Sequence, residues 1–141
     1  MPKVDFYVLT QSGEPARQRF ACRLAEKAWR LNNTVHIRTG DRQHAEQMDE
    51  LLWTFRDGSF VPHEVYQQNA AINAPITIGC EHEIAAEHDL LINLAAEIPG
   101  DVGSFPRIAE IVSSDDASRR RSRQRYADYR EQGHELDTHK L

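Results

Sequence analysis

The chain has 141 residues, 40% of them hydrophobic and 28% charged, with a net charge of −5. That suits one domain over residues 1–141 with a single real core, and the acidic balance argues against a general DNA binder. No apolar run approaches the roughly 18 residues of a membrane span. Met1-Pro2-Lys3-Val4-Asp5 also lacks the apolar core of a signal peptide, so a cytoplasmic chain is expected.

The first predicted element is a strand from Val4 to Leu9, a nearly continuous apolar run suited to a strand covered on both faces. Thr10 to Pro15 is turn chemistry, with Pro15 fit for a first helical turn. Ala16 to Leu31 has helical spacing, with Phe20, Leu24, Ala28 and Leu31 on one stripe, and Asn32-Asn33 ends it. Thr34 to Ile37 is a second short strand. The next helix starts at Gly40-Asp41 with Asp41 as N-cap, and Ala45, Met48, Leu52 and Phe55 give it an apolar face. Arg56 to Ser59 is a polar break, and Glu64 to Ala74 reads as loop.

Pro75 to Ile78 and Asp89 to Leu94 read as strands. Arg107 to Val112 fits either strand or helix, with Ile108, Ile111 and Val112 apolar. Ser114-Asp115-Asp116 opens a helix that runs to about Glu131 and stops at Gly133. The polar tail from His134 to Leu141 is expected to be loosely held. Strands alternating with helices predict an α/β domain with a mainly parallel central sheet and helices on both faces.

Charge is uneven along the chain. Between Arg119 and Arg130 stand six arginines and one acid, Asp128. An acidic body with one basic helix selects a small acidic partner better than a long phosphate backbone. Arg119, Arg123, Tyr126 and Arg130 are spaced i, i+4, i+7 and i+11, which puts them on one helical face. Guanidinium forks grip carboxylates bidentately, and Val112 with the Tyr126 ring would offer an apolar wall. Tyr126 also fits simple core packing, although Tyr129 is the more core-like of the two. Trp53 sits at the edge of the apolar stripe of its helix, with Phe60 and Val61 just beyond. The three would make an exposed apolar patch of the kind that marks interfaces, and core burial is the alternative.

Catalytic chemistry finds little support. The turn after the first strand, Thr10-Gln11-Ser12-Gly13-Glu14-Pro15, has one glycine and no lysine, whereas a phosphate cradle needs close backbone approach and free N–H groups. Glu81-His82-Glu83-Ile84-Ala85-Ala86-Glu87-His88 is the best metal candidate, but His82 is followed four residues on by Ala86, so the zincin geometry fails. His36 and His63 read as structural. Cys22 and Cys80 match no metal spacing and read as buried thiols. No catalytic residue, metal site or cofactor is expected.

Several segments together resemble a known family. Phe6-Tyr7-Val8-Leu9, the first helix with Cys22 and Trp29, Leu51-Leu52-Trp53, Ser59-Phe60-Val61-Pro62-His63 and Arg123-Gln124-Arg125-Tyr126-Ala127-Asp128-Tyr129-Arg130 are similar, in order and spacing, to the chi subunits of DNA polymerase III. The resemblance implies a Rossmann-like α/β fold without nucleotide chemistry and a non-catalytic adaptor in the clamp-loader assembly. It implies two partners: the psi subunit, and the acidic C-terminal tail of single-stranded DNA-binding protein, which ends in a phenylalanine carboxylate. The tail would meet Val112, Arg119, Arg123 and Tyr126, with Arg119 standing where the family has a lysine, and Arg130 extends that row. The psi subunit would meet Trp53, Phe60 and Val61. Nucleic acid would be reached only indirectly. The competing readings are an Arg-rich nucleic-acid-binding module, with a steep salt slope, and a small Rossmann-type nucleotide-binding enzyme.

Overall fold

The computed structural model describes residues 3–56, 58, 60–66, 74–80, 88–98 and 105–141. It is an α/β fold built on a seven-stranded sheet in which every pairing is parallel. The strands are β1 (Lys3–Val8), β2 (Val35–Thr39), β3 (His63–Val65), β4 (Ile76–Cys80), β5 (Leu90–Asn93), β6 (Arg107–Val112) and β7 (Glu135–Lys140), in the spatial order β3-β4-β2-β5-β6-β1-β7. The helices are α1 (Glu14–Arg30), α2 (Arg42–Thr54) and α3 (Asp116–Glu131). This is the Rossmann-like architecture that the resemblance implies.

Parallel strands need both faces covered, and alternate residues of the central strands supply two cores. Val35, Ile37, Ile76, Ile78, Ala109 and Ile111 pack beneath α1 and α2. Val4, Phe6, Ile108 and Val112 pack against Tyr129 of α3. The chain steps in one direction across the sheet from β1 to β3 and in the opposite direction from β6 to β7. Right-handed crossovers then require α3 on the face opposite α1 and α2, and it is found there.

Several expectations are refined. Residues 107–112, open between strand and helix, form the buried strand β6 beside β1, with Val4 in register with Ile108 and Val8 with Val112. Glu64 and Val65, read as loop, belong to the three-residue edge strand β3. The tail is not loose, because residues 135–140 form β7 in register with β1, from Lys3–Glu135 to Val8–Lys140. An edge strand carries little apolar burial, so the polar Glu-Leu-Asp-Thr-His-Lys run hides its pairing from a hydrophobicity reading. Polar contacts fasten it: Lys3 Nζ lies 2.9 Å from Asp137, and His139 Nε2 lies 2.9 Å from Asp5. The His139 ring also stacks on Tyr7 at 4.9 Å.

Helix α1 is rotated from its predicted stripe. Arg17, Ala21, Cys22, Ala25, Glu26 and Ala28 are buried, whereas Phe20 and Leu24 are only partly buried and Leu31 is 65% exposed. Ala and Cys let the helix approach the sheet closely, which leaves the larger side chains at its flank. Asn32, at φ 66, ends the helix in the left-handed region. In α2 the stripe holds for Ala45, Met48 and Leu52, and Asp41 caps it by accepting from His44 N at 2.8 Å.

Candidate functional site

Helix α3 carries two rows with opposite surroundings. Its inner row is locked to the sheet. Buried Arg125 donates to Glu110 Oε1 at 2.8 Å, to the Ala95 carbonyl at 2.8 Å and to the Ala96 carbonyl at 2.5 Å. The Tyr129 hydroxyl donates to Glu110 Oε2 at 2.7 Å, and Asn93 Nδ2 reaches the same oxygen at 2.8 Å. Burial, with Glu110 beside it, pushes the Tyr129 hydroxyl pKa well above the usual tyrosine value. A buried carboxylate with three donors is satisfied, so this network fixes how α3 sits on the sheet.

The outer row holds Arg119, Arg123, Tyr126 and Arg130, all exposed. No carboxylate of the described residues comes within ion-pair distance of these three arginines. Tyr126 is 37% exposed and rests its ring 5.5 Å from that of Phe6, so its two readings meet in one residue: one side packs on the core and the other faces out. The expected wall of Val112 is corrected. Val112 is 4% exposed and lies in the cluster with Phe6 and Tyr129. The space bordering it beside Ser118 and Ser122 is about 10 Å³, room for about one water and not for a phenyl ring.

The sequence reading also misses a cation. In β7, Lys140 is in register with Val8, and β1 residues of that parity, Phe6 among them, face α3. Lys140 therefore extends the basic surface on the α3 side of the sheet. The only signal in the sequence is its place in a strand too polar to be recognised.

A second surface lies near the opposite edge of the sheet. Trp53 at the end of α2 is 50% exposed and Phe60 is 75% exposed, and their rings meet edge to face at 5.7 Å. The Trp53 ring also lies 4.5 Å from that of His63. His63 is held in turn, with Nδ1 2.6 Å from the Val61 carbonyl and Nε2 3.0 Å from the Asp49 carbonyl. Val61 departs from the expected exposed patch. It is 1% exposed and belongs to the core under α2, whereas its neighbour Phe60 is turned outward. Val61 anchors the patch and does not present itself to a partner.

The remaining candidates are structural. His36 Nδ1 meets Thr77 Oγ1 at 2.7 Å inside the core, and His88 is buried beside the same hydroxyl. Residues 81–87 of the weak metal candidate lie outside the described residues. Among the described residues no group of three His, Cys, Asp or Glu is arranged to hold a metal. Cys22 is buried, and burial pushes its thiol up to about 12. Cys80 is only partly buried, so the expectation of two buried thiols holds for one of them.

At the carboxyl ends of the strands, where Rossmann-type folds bind nucleotides, a cleft of about 280 Å³ opens between α1, α2 and α3. Two of its arginines and the N-terminus of α2 are already engaged, while Arg121 on its wall has no ion-pair partner among the described residues and α1 carries no side-chain cap. Arg17 donates to Glu14 at 2.6 Å and to the Ile111 carbonyl at 2.9 Å. Arg125 is taken by Glu110, Gly13 N donates to Asp115 at 3.1 Å, and Asp41 caps α2. A phosphate there would also lie beside the carboxylates of Glu14 and Asp41, which oppose it.

Comparison with known proteins identifies the family. Residues 1–137 match the family model described as DNA polymerase III chi subunit, HolC. Over 141 residues the chain is 41% identical to the DNA polymerase III subunit chi of Pseudomonas aeruginosa, covering 100% of this chain and 98% of that protein. It is 36% identical over 135 residues to the Haemophilus influenzae subunit chi, covering 95% and 94% of the two chains. It is 29% identical over 143 residues to that of Escherichia coli, covering 98% and 97%. With a family model matched over residues 1–137 and relatives aligned over almost its full length, the chain belongs to the DNA polymerase III chi subunit family.

Proposed function

We propose that this chi-family chain acts in the cytoplasm, as one domain, as a non-catalytic adaptor between the clamp-loader side of the polymerase III holoenzyme and single-stranded DNA-binding protein. The acidic tail of the latter docks along Arg119, Arg123, Tyr126 and Arg130, with Val112 beneath. The psi subunit covers Trp53 and Phe60, with Val61 behind them. The observation that carries the reading is the outer row of α3, where three arginines have no carboxylate partner among the described residues and stand beside a half-open tyrosine on a chain that is acidic elsewhere. Charge-assisted bonds to the tail's carboxylates, its C-terminal one included, supply the attraction, and the tail's phenylalanine lies on Tyr126.

The two surfaces flank opposite edges of the sheet. Six strand spacings separate those edges, roughly 30 Å, so both partners can bind at once. The test is a calorimetric titration of the phenylalanine-terminated tail peptide into the purified chain, with and without the psi subunit. The expected result is micromolar binding, on the order of −8 kcal/mol, undiminished by psi. Failure to bind, or competition between peptide and psi, overturns it. Tight binding of oligonucleotides in the absence of any protein partner would favour the nucleic-acid module instead.

A further inference from the structure

Helix α1 turns small residues inward and leaves its large apolar ones at the flank, which is costly unless something covers them. Phe20, Leu24 and Leu31 stand at i, i+4 and i+11, along one line of the helix. They border a groove of about 750 Å³ whose lining includes Tyr7 of β1, its ring packed on that of Phe20 at 5.2 Å. That volume lies in the range of about 300–1,000 Å³ typical of occupied ligand clefts. The groove opens on the sheet face opposite α3, so it is separate from the arginine row.

Its rim carries a specific charge pattern. Arg23 and Lys27, one turn apart and both exposed, have no carboxylate partner among the described residues. The Arg23 guanidinium lies 5.9 Å from the Phe20 ring centroid. The two aspartates of the groove are held within the fold. Asp5 accepts from Arg107 at 3.0 Å and pairs with His139 at 2.9 Å. Asp89 accepts from the Thr34 amide at 2.8 Å and from its hydroxyl at 3.1 Å. On a chain of net charge −5, this leaves an apolar trough edged by unneutralised positive charge.

We propose that the groove between α1 and β1 docks an acidic peptide segment of a protein partner, with its large apolar side chains lying over Phe20, Leu24 and Tyr7 and its carboxylates on Arg23 and Lys27. Apolar anchors set orientation and depth, and rim charges choose the acidic partner over a basic one. A lipid surface would need a flat or convex apolar face with a broad basic field, and this surface is concave with two cations.

The probe is a short fluorescein-labelled synthetic peptide of Asp, Glu, Leu and Phe. It is titrated into full-length Arg119→Ala/Arg123→Ala protein, so that α3 does not account for the signal and the α3 reading is tested separately. Backbone amide shifts should map to α1 and to Tyr7. Arg23→Glu/Lys27→Glu should weaken binding at least about tenfold, as loss of two charge-assisted contacts does, with the thermal midpoint unchanged because both residues are exposed. A peptide with Lys in place of the acids should not bind. Absence of binding, shifts confined to α3 or to Trp53 and Phe60, or equal affinity for the basic peptide would overturn the proposal. Self-association of the chain that Arg23→Glu/Lys27→Glu abolishes would also overturn it, by assigning the groove to a second copy.

Discussion

The two rows of α3 use the same side chain for opposite ends. Arg125 is buried, meets Glu110 and two carbonyls, and spends its charge inside the protein. Arg123, two positions earlier, is exposed and meets no carboxylate of the described residues. Helical phase, about 200° between them, decides which arginine holds the fold and which is available to a partner. Counting charge along the helix therefore overstates what it offers: of six arginines between Arg119 and Arg130, five face outward.

The comparison can be broken at Arg125. Arg125→Ala leaves Glu110 buried with one ionic partner removed and should cost roughly 3–5 kcal/mol of stability, the usual result of breaking a buried pair. Denaturant unfolding reads it directly. Arg123→Ala should stay within about 0.5 kcal/mol of wild type in the same measurement, as exposed unpaired positions do. If the two variants lose stability equally, the distinction between the rows is wrong.

Binding should show the reverse order. On the proposed docking, Arg123→Ala should weaken the acidic tail peptide by about 1.5–3 kcal/mol, roughly 10- to 150-fold, the scale of one charge-assisted contact. Wild-type affinity should fall as salt rises, because the row is exposed and screened. Calorimetry at two salt concentrations tests both, and equal affinity of the two proteins would remove this helix from the site. At the other edge, Phe60→Ala should weaken psi binding by about 2 kcal/mol, the scale of an aromatic anchor. It should leave the tail peptide alone, since residues this far apart act additively. A parallel loss of both partners would mean that Phe60 supports the fold instead of a surface.

The sequence is legible where side chains report their environment. Apolar runs reveal β1, β4 and β5, and the spacing of Arg119, Arg123, Tyr126 and Arg130 gives their common face. Legibility fails where backbone pairing or packing distance decides. β7 is held by main-chain bonds to β1 and by polar contacts, so its polar sequence looks like a loose tail. Val112 and Val61 read as surface apolar residues because spacing cannot show depth; in the folded chain both belong to cores. In α1 the periodicity marks Phe20 and Leu24 as core, yet the helix settles on its alanines because small residues allow the closer approach.

The smallest expected effect sits where α3 begins. Asp115 accepts from the Ser113 hydroxyl at 2.6 Å, from Gly13 N at 3.1 Å and from Ser118 N at 3.3 Å. Gly13 contributes from a positive φ of 91, a backbone that residues with a side chain rarely adopt. These donors, the Ser113 hydroxyl first, hold the Asp115 carboxyl down at about 2, against an ordinary 3.8. A carboxyl depressed in the folded state stabilises it above the unfolded value and loses that contribution as pH falls through the folded one. The cap should therefore be intact at pH 5 and fail between 3.8 and about 2. Asp115→Asn retains a capping oxygen but does not titrate, so it should be less stable than wild type at pH 5, and the gap should close as the pH approaches 2. Thermal unfolding of both proteins over that range provides the check, and a gap independent of pH would exclude Asp115 as the titrating group. Because the same carboxylate joins the turn before α1 to the first turn of α3, its loss should also loosen Arg119 before it disturbs Arg123, and tail binding should weaken slightly before the fold gives way.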